Sequence, residues 1–194
     1  MTTSTGAIAD AQRLVAFMNT RYLPGDDDTL ADERAPGWLQ EWLEPGLPPK
    51  VRHTPQRVPQ RMQDLRDLRE ALRQLAAANN GQEPDYEILG RATSALGSMP
   101  LIVELGDHQG RPGLITRGRT TADQAIAAVA WSYLAVRLGE DWRRVKACAS
   151  SECRWVYLDT SRNRSRRWCE MAHCGNRAKS RAWRQRRSSS VRRG

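Results

Sequence analysis

The chain has 194 residues, 27% of them charged, with a formal net charge of +9 and an isoelectric point near 10.1. That length allows one ordinary core plus a small module, and no apolar run approaches the ~20 residues of a membrane-spanning helix. The N-terminus, MTTSTGAIAD, shows neither the basic nor the apolar region of an export signal, so a cytoplasmic location is expected.

The positive charge is concentrated at one end. Residues 1–141 carry 15 Lys and Arg against 19 Asp and Glu, a net of −4, whereas residues 142–194 carry 16 against 3, a net of +13. A chain divided in this way predicts an acidic to neutral domain over 1–141 and a basic module over 142–187. Residues 188–194, RRSSSVRRG in context, are expected to be a disordered tail.

In chain order, Ile8, Leu14, Val15, Phe17 and Met18 recur at helical spacing and predict an amphipathic helix ending near Asn19. PGDDDTLADERAPG reads as an acidic loop, and WLQEWL (38–43) as a short helix that places Trp38, Leu39, Trp42 and Leu43 on one face. A Pro-rich connection follows. The clearest helix covers 58–78, where Met62, Leu65, Leu68 or Arg69, Leu72 and Leu75 recur three and four residues apart; it exits at NNGQEP. A further helix is expected over 84–96. PLIVELG and GLITRG read as two short strands joined by a polar turn. TTADQAIAAVAWSYLAVRLG then reads as a capped, almost wholly apolar helix buried in the core. The fold class expected is mainly α, within α+β: a helical N-terminal domain with one short β-hairpin, then a small cysteine-rich module.

Cys148, Cys153, Cys169 and Cys174 form the pattern C-x4-C-x15-C-x4-C. Reducing conditions in the cytoplasm disfavour disulfides, and two cysteine pairs on a segment that folds back can build a closed four-thiolate zinc site. RWVYLD has strand character, TSRNRS is a turn, and GNRAKSRAWRQRR can form a helix. A loop with two ligands, a hairpin, and two ligands at a helix start are expected to constitute a treble-clef-like finger holding one structural Zn2+, the alternatives being another metal, a redox-sensitive thiol site or four unrelated cysteines. His173 adjoins Cys174 but the shell is complete without it; His53 and His108 sit in loops without a ligand pattern.

The segment CASSECRWVYLDTSRNRSRRWCEMAHCGNRAKSRAWRQRR closely resembles the CGNR zinc finger family. It has the tetrad Cys174, Gly175, Asn176 and Arg177, the turn Ser161, Arg162 and Asn163, and the run Arg166 to Cys169. Arg154 stands where that family often has glycine, a change expected to affect the turn more than the metal. The VAFMNTR segment and the helices after it resemble the helical domain preceding this finger in bacterial proteins described as stress-induced transcriptional regulators. The resemblance implies a DNA-binding transcriptional regulator associated with the nucleoid.

The residue chemistry agrees with that implication, because phosphates attract clustered cations and Arg pairs with them in bidentate fashion. Arg177, Arg181 and Arg184 share one side of the expected helix, with Lys179 nearby, and are the expected groove contacts. Arg162, Arg164, Arg166 and Arg167 are expected to hold phosphates. Asn176 can read an adenine edge or cap the helix. Trp155 and Trp168 are expected in a small core, and Trp183 exposed. Asn19, Thr20 and Arg21 either line an effector pocket or brace the end of the first helix. Double-stranded DNA is the expected partner. RNA polymerase or another transcription component, a small-molecule effector and a second copy in a homodimer are further candidates. The competing reading is a docking module for an acidic protein surface. No nucleotide-binding glycine loop, nucleophile elbow or zinc-protease pattern is present, so an enzyme is not expected.

Overall fold

The computed structural model describes residues 5–43, 58–107, 110–139 and 141–191. The Pro-rich connection, His53, His108 and the last three residues lie outside the described residues. Six α-helices and three two-stranded antiparallel ribbons make up the described chain.

Helix α1 (Thr5–Met18) buries Ala11, Leu14, Phe17 and Met18, the face expected from the sequence; Ile8 is partly exposed. A small ribbon pairs β1 (Arg21–Tyr22) with β2 (Asp27–Asp28), the second strand lying inside the stretch read as an acidic loop. Helix α2 (Ala35–Leu43) begins before Pro36, which is tolerated in a first turn because its missing N–H has no intrahelical partner there. Helix α3 (Val58–Ala78) crosses the molecule, and α4 (Tyr86–Gly97) packs along it, capped by the Asp85 carboxylate on the Glu87 and Ile88 amides. Strands β3 (Leu101–Glu104) and β4 (Gly113–Thr116) form the expected hairpin, with Leu101 opposite Thr116 and Glu104 opposite Gly113.

Helix α5 (Thr121–Leu138) starts at a reciprocal cap: the Asp123 amide donates to Thr120 Oγ1 at 3.0 Å and the Thr120 amide to Asp123 Oδ2 at 3.1 Å. Gly118 is required beside it, because a Cβ there would lie 2.4 Å from the Asp123 side chain. Ala125, Ile126, Val129 and Val136 on α5 meet Leu14, Phe17, Leu65 and Leu72 in one core. Each fully buried Leu, Ile or Phe contributes about 1.5–3 kcal/mol. The far end of α5 is less covered than its composition predicts, since Leu134 and Leu138 are exposed. No described helix is long and apolar enough to cross a membrane.

Two arginines on the buried face of α3 depart from the hydrophobic pattern. Arg69 is 1% exposed and donates to both Asp28 oxygens at 2.5 and 2.7 Å and to Thr20 Oγ1 at 3.2 Å. Burial raises the Asp28 pKa, but the hydrogen bond and charge of Arg69 outweigh it and hold the carboxyl below its usual value. The β1–β2 ribbon therefore exists where Asp28 must reach α3.

After α5, a single 3-10 turn (Asp141–Arg144) leads into β5 (Val145–Ala147), which pairs with β6 (Val156–Leu158). Val145, Ala147 and Val156 belong to the same core as the helices. A π-helical turn (Met171–Gly175) runs into α6 (Asn176–Val191). The helix thus extends into the stretch expected to be a disordered tail.

Candidate metal centre and basic surface

The two cysteine pairs come from different local structures. Cys148 ends β5 and Cys153 closes the tight turn before β6; the Cys153 and Arg154 amides both donate to the Ser150 carbonyl at 3.0 Å. The paired strands therefore flank the first cysteine pair, whereas the sequence reading put the hairpin between the two pairs. Arg154 has φ +49°, the left-handed conformation that makes glycine common at such a place. Its strain is offset by tertiary contacts: its carbonyl accepts from Arg73 at 3.1 Å and its guanidinium reaches Gln82 Oε1 at 3.4 Å.

Cys169 precedes the π-turn and Cys174 lies within it; the Cys174 and Gly175 amides donate to the Glu170 carbonyl at 3.1 and 3.2 Å. Gly175 is closely approached, because a Cβ there would lie 2.3 Å from Met171 Sδ. The turn brings all four sulfur atoms within 4.8 Å of one another. Cys153 and Cys169 are 3.6 Å apart, and Cys169 and Cys174 3.8 Å. A tetrahedron with metal–sulfur bonds of about 2.3 Å has edges of about 3.8 Å, so the four thiols fit one metal ion.

Their titration supports the same conclusion. Burial, with Cys148 nearby, pushes the Cys153 thiol up, and burial with the neighbouring cysteines pushes Cys169 up further. For Cys174 burial also acts upward, but it is outweighed by hydrogen bonds from Cys153, Cys148 and Cys169 and by the charge of Arg177, and the net shift is downward. Four thiolates cannot share so small a volume without a cation among them. His173 is outside the set: it is exposed and pairs with Glu170 at 2.8 Å.

Beside the thiols lies a buried ion pair that the sequence reading did not identify. Lys146 Nζ sits 2.8 Å from Asp159 Oδ2, and Asp159 is fully buried. The same carboxylate accepts from the Ser161 amide and hydroxyl at 3.0 and 2.6 Å and from the Arg166 amide at 3.1 Å. Lys146 also donates to the carbonyls of Arg164 and Arg166. Burial raises the Asp159 pKa, but the Lys146 and Ser161 hydrogen bonds prevail and lower it to about 2. The pair thus gathers the backbone of residues 161–166 inward while Arg162, Arg164, Arg166 and Arg167 are exposed.

These arginines are not equivalent. Arg166 braces the second cysteine pair, donating to the carbonyls of Trp168 and Cys169 and lying 4.8 Å over the Tyr157 ring. Arg167 lies 5.5 Å over the Trp168 ring. On α6, Arg177 reaches Cys174 Sγ at 3.9 Å, while Lys179 and Arg184 are exposed. Arg181 differs from its expected role, being half-buried and paired with Glu152 at 3.0 Å; at helical spacing it borders the half-buried Ala178 and Ala182, so Glu152 on the first knuckle can reach it. Asn176 is exposed, and its amide, not its side chain, closes the π-turn. Trp183 is half-exposed with Arg187 4.9 Å over its ring.

Residues 144–187 match the CGNR zinc finger model, and residues 12–140 match the ABATE model, described as a "putative stress-induced transcription regulator". The chain belongs to the ABATE family and carries a CGNR zinc finger. No individually curated protein matches it. The ABATE description is that of a regulator and the other that of a zinc finger, and the chain is accordingly of a regulatory, non-catalytic class.

The ABATE region and the CGNR finger are held together by side-chain amides and one buried guanidinium. Asn19 Nδ2 donates to the Val156 carbonyl at 2.8 Å and its Oδ1 accepts from the Val156 amide at 2.9 Å, imitating a strand partner for β6. Arg73 joins the carbonyls of Met18 and Arg154 at 2.7 and 3.1 Å. Asn79 donates to the carbonyls of Trp142 and Val145, and Asn80 to those of Ala147 and Arg167. Thr20, part of the suggested effector motif, caps the Phe17 carbonyl at 2.8 Å, and Arg21 lies within 4.0 Å of Asp26 and Glu70. In the sequence, Asn79 and Asn80 give only a helix-exit signal; no spacing rule marks them as clamps.

Proposed function

We propose that the chain is a DNA-binding transcriptional regulator in which one structural Zn2+ is held by Cys148, Cys153, Cys169 and Cys174. The observation that carries this reading is the arginine turn, whose backbone is anchored by the buried Lys146–Asp159 pair next to a four-thiol site. Fixing several guanidinium groups outward in a segment of net +13 costs self-repulsion that a polyanion relieves. Zinc, when bound, would supply a closed four-thiolate shell that fixes the knuckles and leaves no open coordination position. Arg162, Arg164, Arg167, Arg177, Lys179 and Arg184 then face the duplex, while Arg166 and Arg181 position the knuckles.

The test is elemental analysis of protein purified without added metal, followed by anisotropy titration of duplex DNA across salt concentrations. One zinc per chain is expected. Arg162→Ala and Arg184→Ala should each lower the slope of log affinity against log salt by about 0.9 for every phosphate left without its cation, whereas Arg181→Ala should act mainly on stability. Zinc near zero, or unchanged slopes in both variants, would overturn the reading and favour an acidic protein partner.

A further inference from the structure

The +13 segment does not contain all of the unneutralised arginine. A cleft of about 330 Å3 is lined by Arg137 at the end of α5, Trp142 and Arg143 in the 3-10 turn, and Arg164 in the arginine turn. Arg137, Arg143 and Arg164 are all exposed, and among the described residues none of their guanidinium groups forms an ion pair or hydrogen bond. A larger groove of about 930 Å3 between α3 and α4 offers a contrast. Its arginines are already satisfied, Arg61 by Asp64 and Asp123 at 2.8 and 2.9 Å, and Arg91 by Glu87 at 3.2 Å.

The walls of the smaller cleft are fixed by bonds beneath it. Arg144, next to Arg143, turns inward and donates to the carbonyls of Asp159 and Ser161 at 3.0 and 3.1 Å. Lys146 holds the Arg164 carbonyl. Arg164 is kept at φ +50°, a left-handed conformation that a residue with a side chain seldom adopts. That strained position directs the chain so that the third arginine joins the two from the other side. Among the described residues no carboxylate lines this cleft, and the nearby Asp141 lies 3.8 Å from Arg144; three cations facing one space repel one another, and a tetrahedral oxyanion removes the repulsion through several charge-assisted hydrogen bonds. The buried Trp142 supplies an apolar wall that limits hydration.

We infer that Arg137, Arg143 and Arg164 form a phosphate-binding cleft at the seam between the ABATE region and the CGNR finger. Its occupant is a backbone phosphate of duplex DNA, so that the nucleic-acid footprint extends past the finger onto α5. The source of the phosphate rests on the DNA-binding function proposed above; the phosphate chemistry does not.

Full-length protein with its native metal is compared with the Arg137→Ala/Arg143→Ala variant, both positions being exposed and outside the cysteine site. The expected result is a salt slope smaller by about 0.9 to 1.8 for the variant. Inorganic phosphate at 10 mM should also raise the Tm of the native protein by about 3 °C over sodium chloride of equal ionic strength, and leave the variant unmoved. An abolished phosphate shift with an unchanged DNA slope would overturn the duplex as source and assign the cleft to a free phosphorylated ligand. Unchanged slope and equal phosphate response would overturn the cleft while leaving DNA binding intact. If the native protein binds no duplex, the phosphate arm alone decides, and an absent shift overturns the inference. Arg137→Lys/Arg143→Lys should restore most of the slope, since charge is kept.

Discussion

Asp159→Ala tests whether the buried pair organises the basic surface. The substitution leaves Lys146, 5% exposed, without its counterion, and breaking a buried pair on one side costs about 3–5 kcal/mol. Lys146 keeps two carbonyl acceptors, which places the expectation near the lower figure, about 3 kcal/mol. The Ser161 and Arg166 donors released lie in an exposed turn where water can reach them, so they add little. For a chain of this size, that loss corresponds to a fall in Tm of roughly 6–12 °C. Urea denaturation of the metal-loaded protein at pH 7 measures it.

The sign of the pH dependence follows from the lowered carboxyl. A folded-state pKa of about 2 lies below the unfolded value of about 3.9, so the Asp159 contribution is fully present above the unfolded value and is lost as pH falls through about 2. Between pH 6 and 8 the penalty of Asp159→Ala should therefore be constant. Lys146→Met/Asp159→Leu removes both charges and should recover most of the stability, yet the Arg164 and Arg166 carbonyls lose their anchor, so DNA affinity should stay low. A penalty under about 1 kcal/mol, or a double variant that regains DNA affinity along with stability, would refute the reasoning.

Asn19→Ala removes both bonds to Val156 and should cost about 1–3 kcal/mol, with increased amide exchange at Val156 as the local readout; protection equal to that of the native chain would contradict the clamp. Asp28→Asn removes the two-pronged carboxylate from buried Arg69 and leaves it paired with Glu70 at 3.0 Å, and should destabilise by about 1–3 kcal/mol. The Asp28 contribution belongs to the range above the ordinary carboxylate pKa and disappears as pH falls through its lowered value; urea midpoints of the two proteins at pH 7 check the magnitude.

Helix positions were legible because their signal is local: apolar residues at three and four residue intervals mark α1 and α3, and a Thr cap before an almost wholly apolar run marks α5, whatever they pack against. The cysteine pattern was legible for a similar reason, since ligand spacing and the Cys174 to Arg177 tetrad are contiguous. What escaped is non-local. Arg69 falls on the apolar face of α3 in the sequence pattern and Arg73 follows it by four, but nothing within ten positions reveals that Asp28 and distant backbone carbonyls will meet them. Lys146 lies between Val145 and Ala147, where strand alternation suggests a solvated side chain; it is instead buried by the arginine turn closing over it. The pairing of Arg181 with Glu152, 29 positions away, is equally non-local.

The distribution of these bonds bears on whether the CGNR finger behaves as a separable module. Val145, Ala147 and Val156 are at most 1% exposed, and their cover comes from α1 and α3. Apart from the Asn79 bonds to Trp142 and Val145, the polar clamps end at Ala147, Arg154, Val156 and Arg167, each one to three positions from Cys148, Cys153 or Cys169. Cutting the chain at the change in charge near residue 141 would expose an apolar surface and leave several carbonyls without donors, so the boundary in composition is not a boundary in packing. Conversely, with the metal proposed above, a rearrangement of the thiols on its loss would reach the C-terminal ends of α1 and α3 through the Asn19, Arg73 and Asn80 hydrogen bonds. Metal affinity and the stability of the ABATE region are then linked quantities: whatever free energy the ion contributes by binding the folded site is shared by the helices that hold that site in shape.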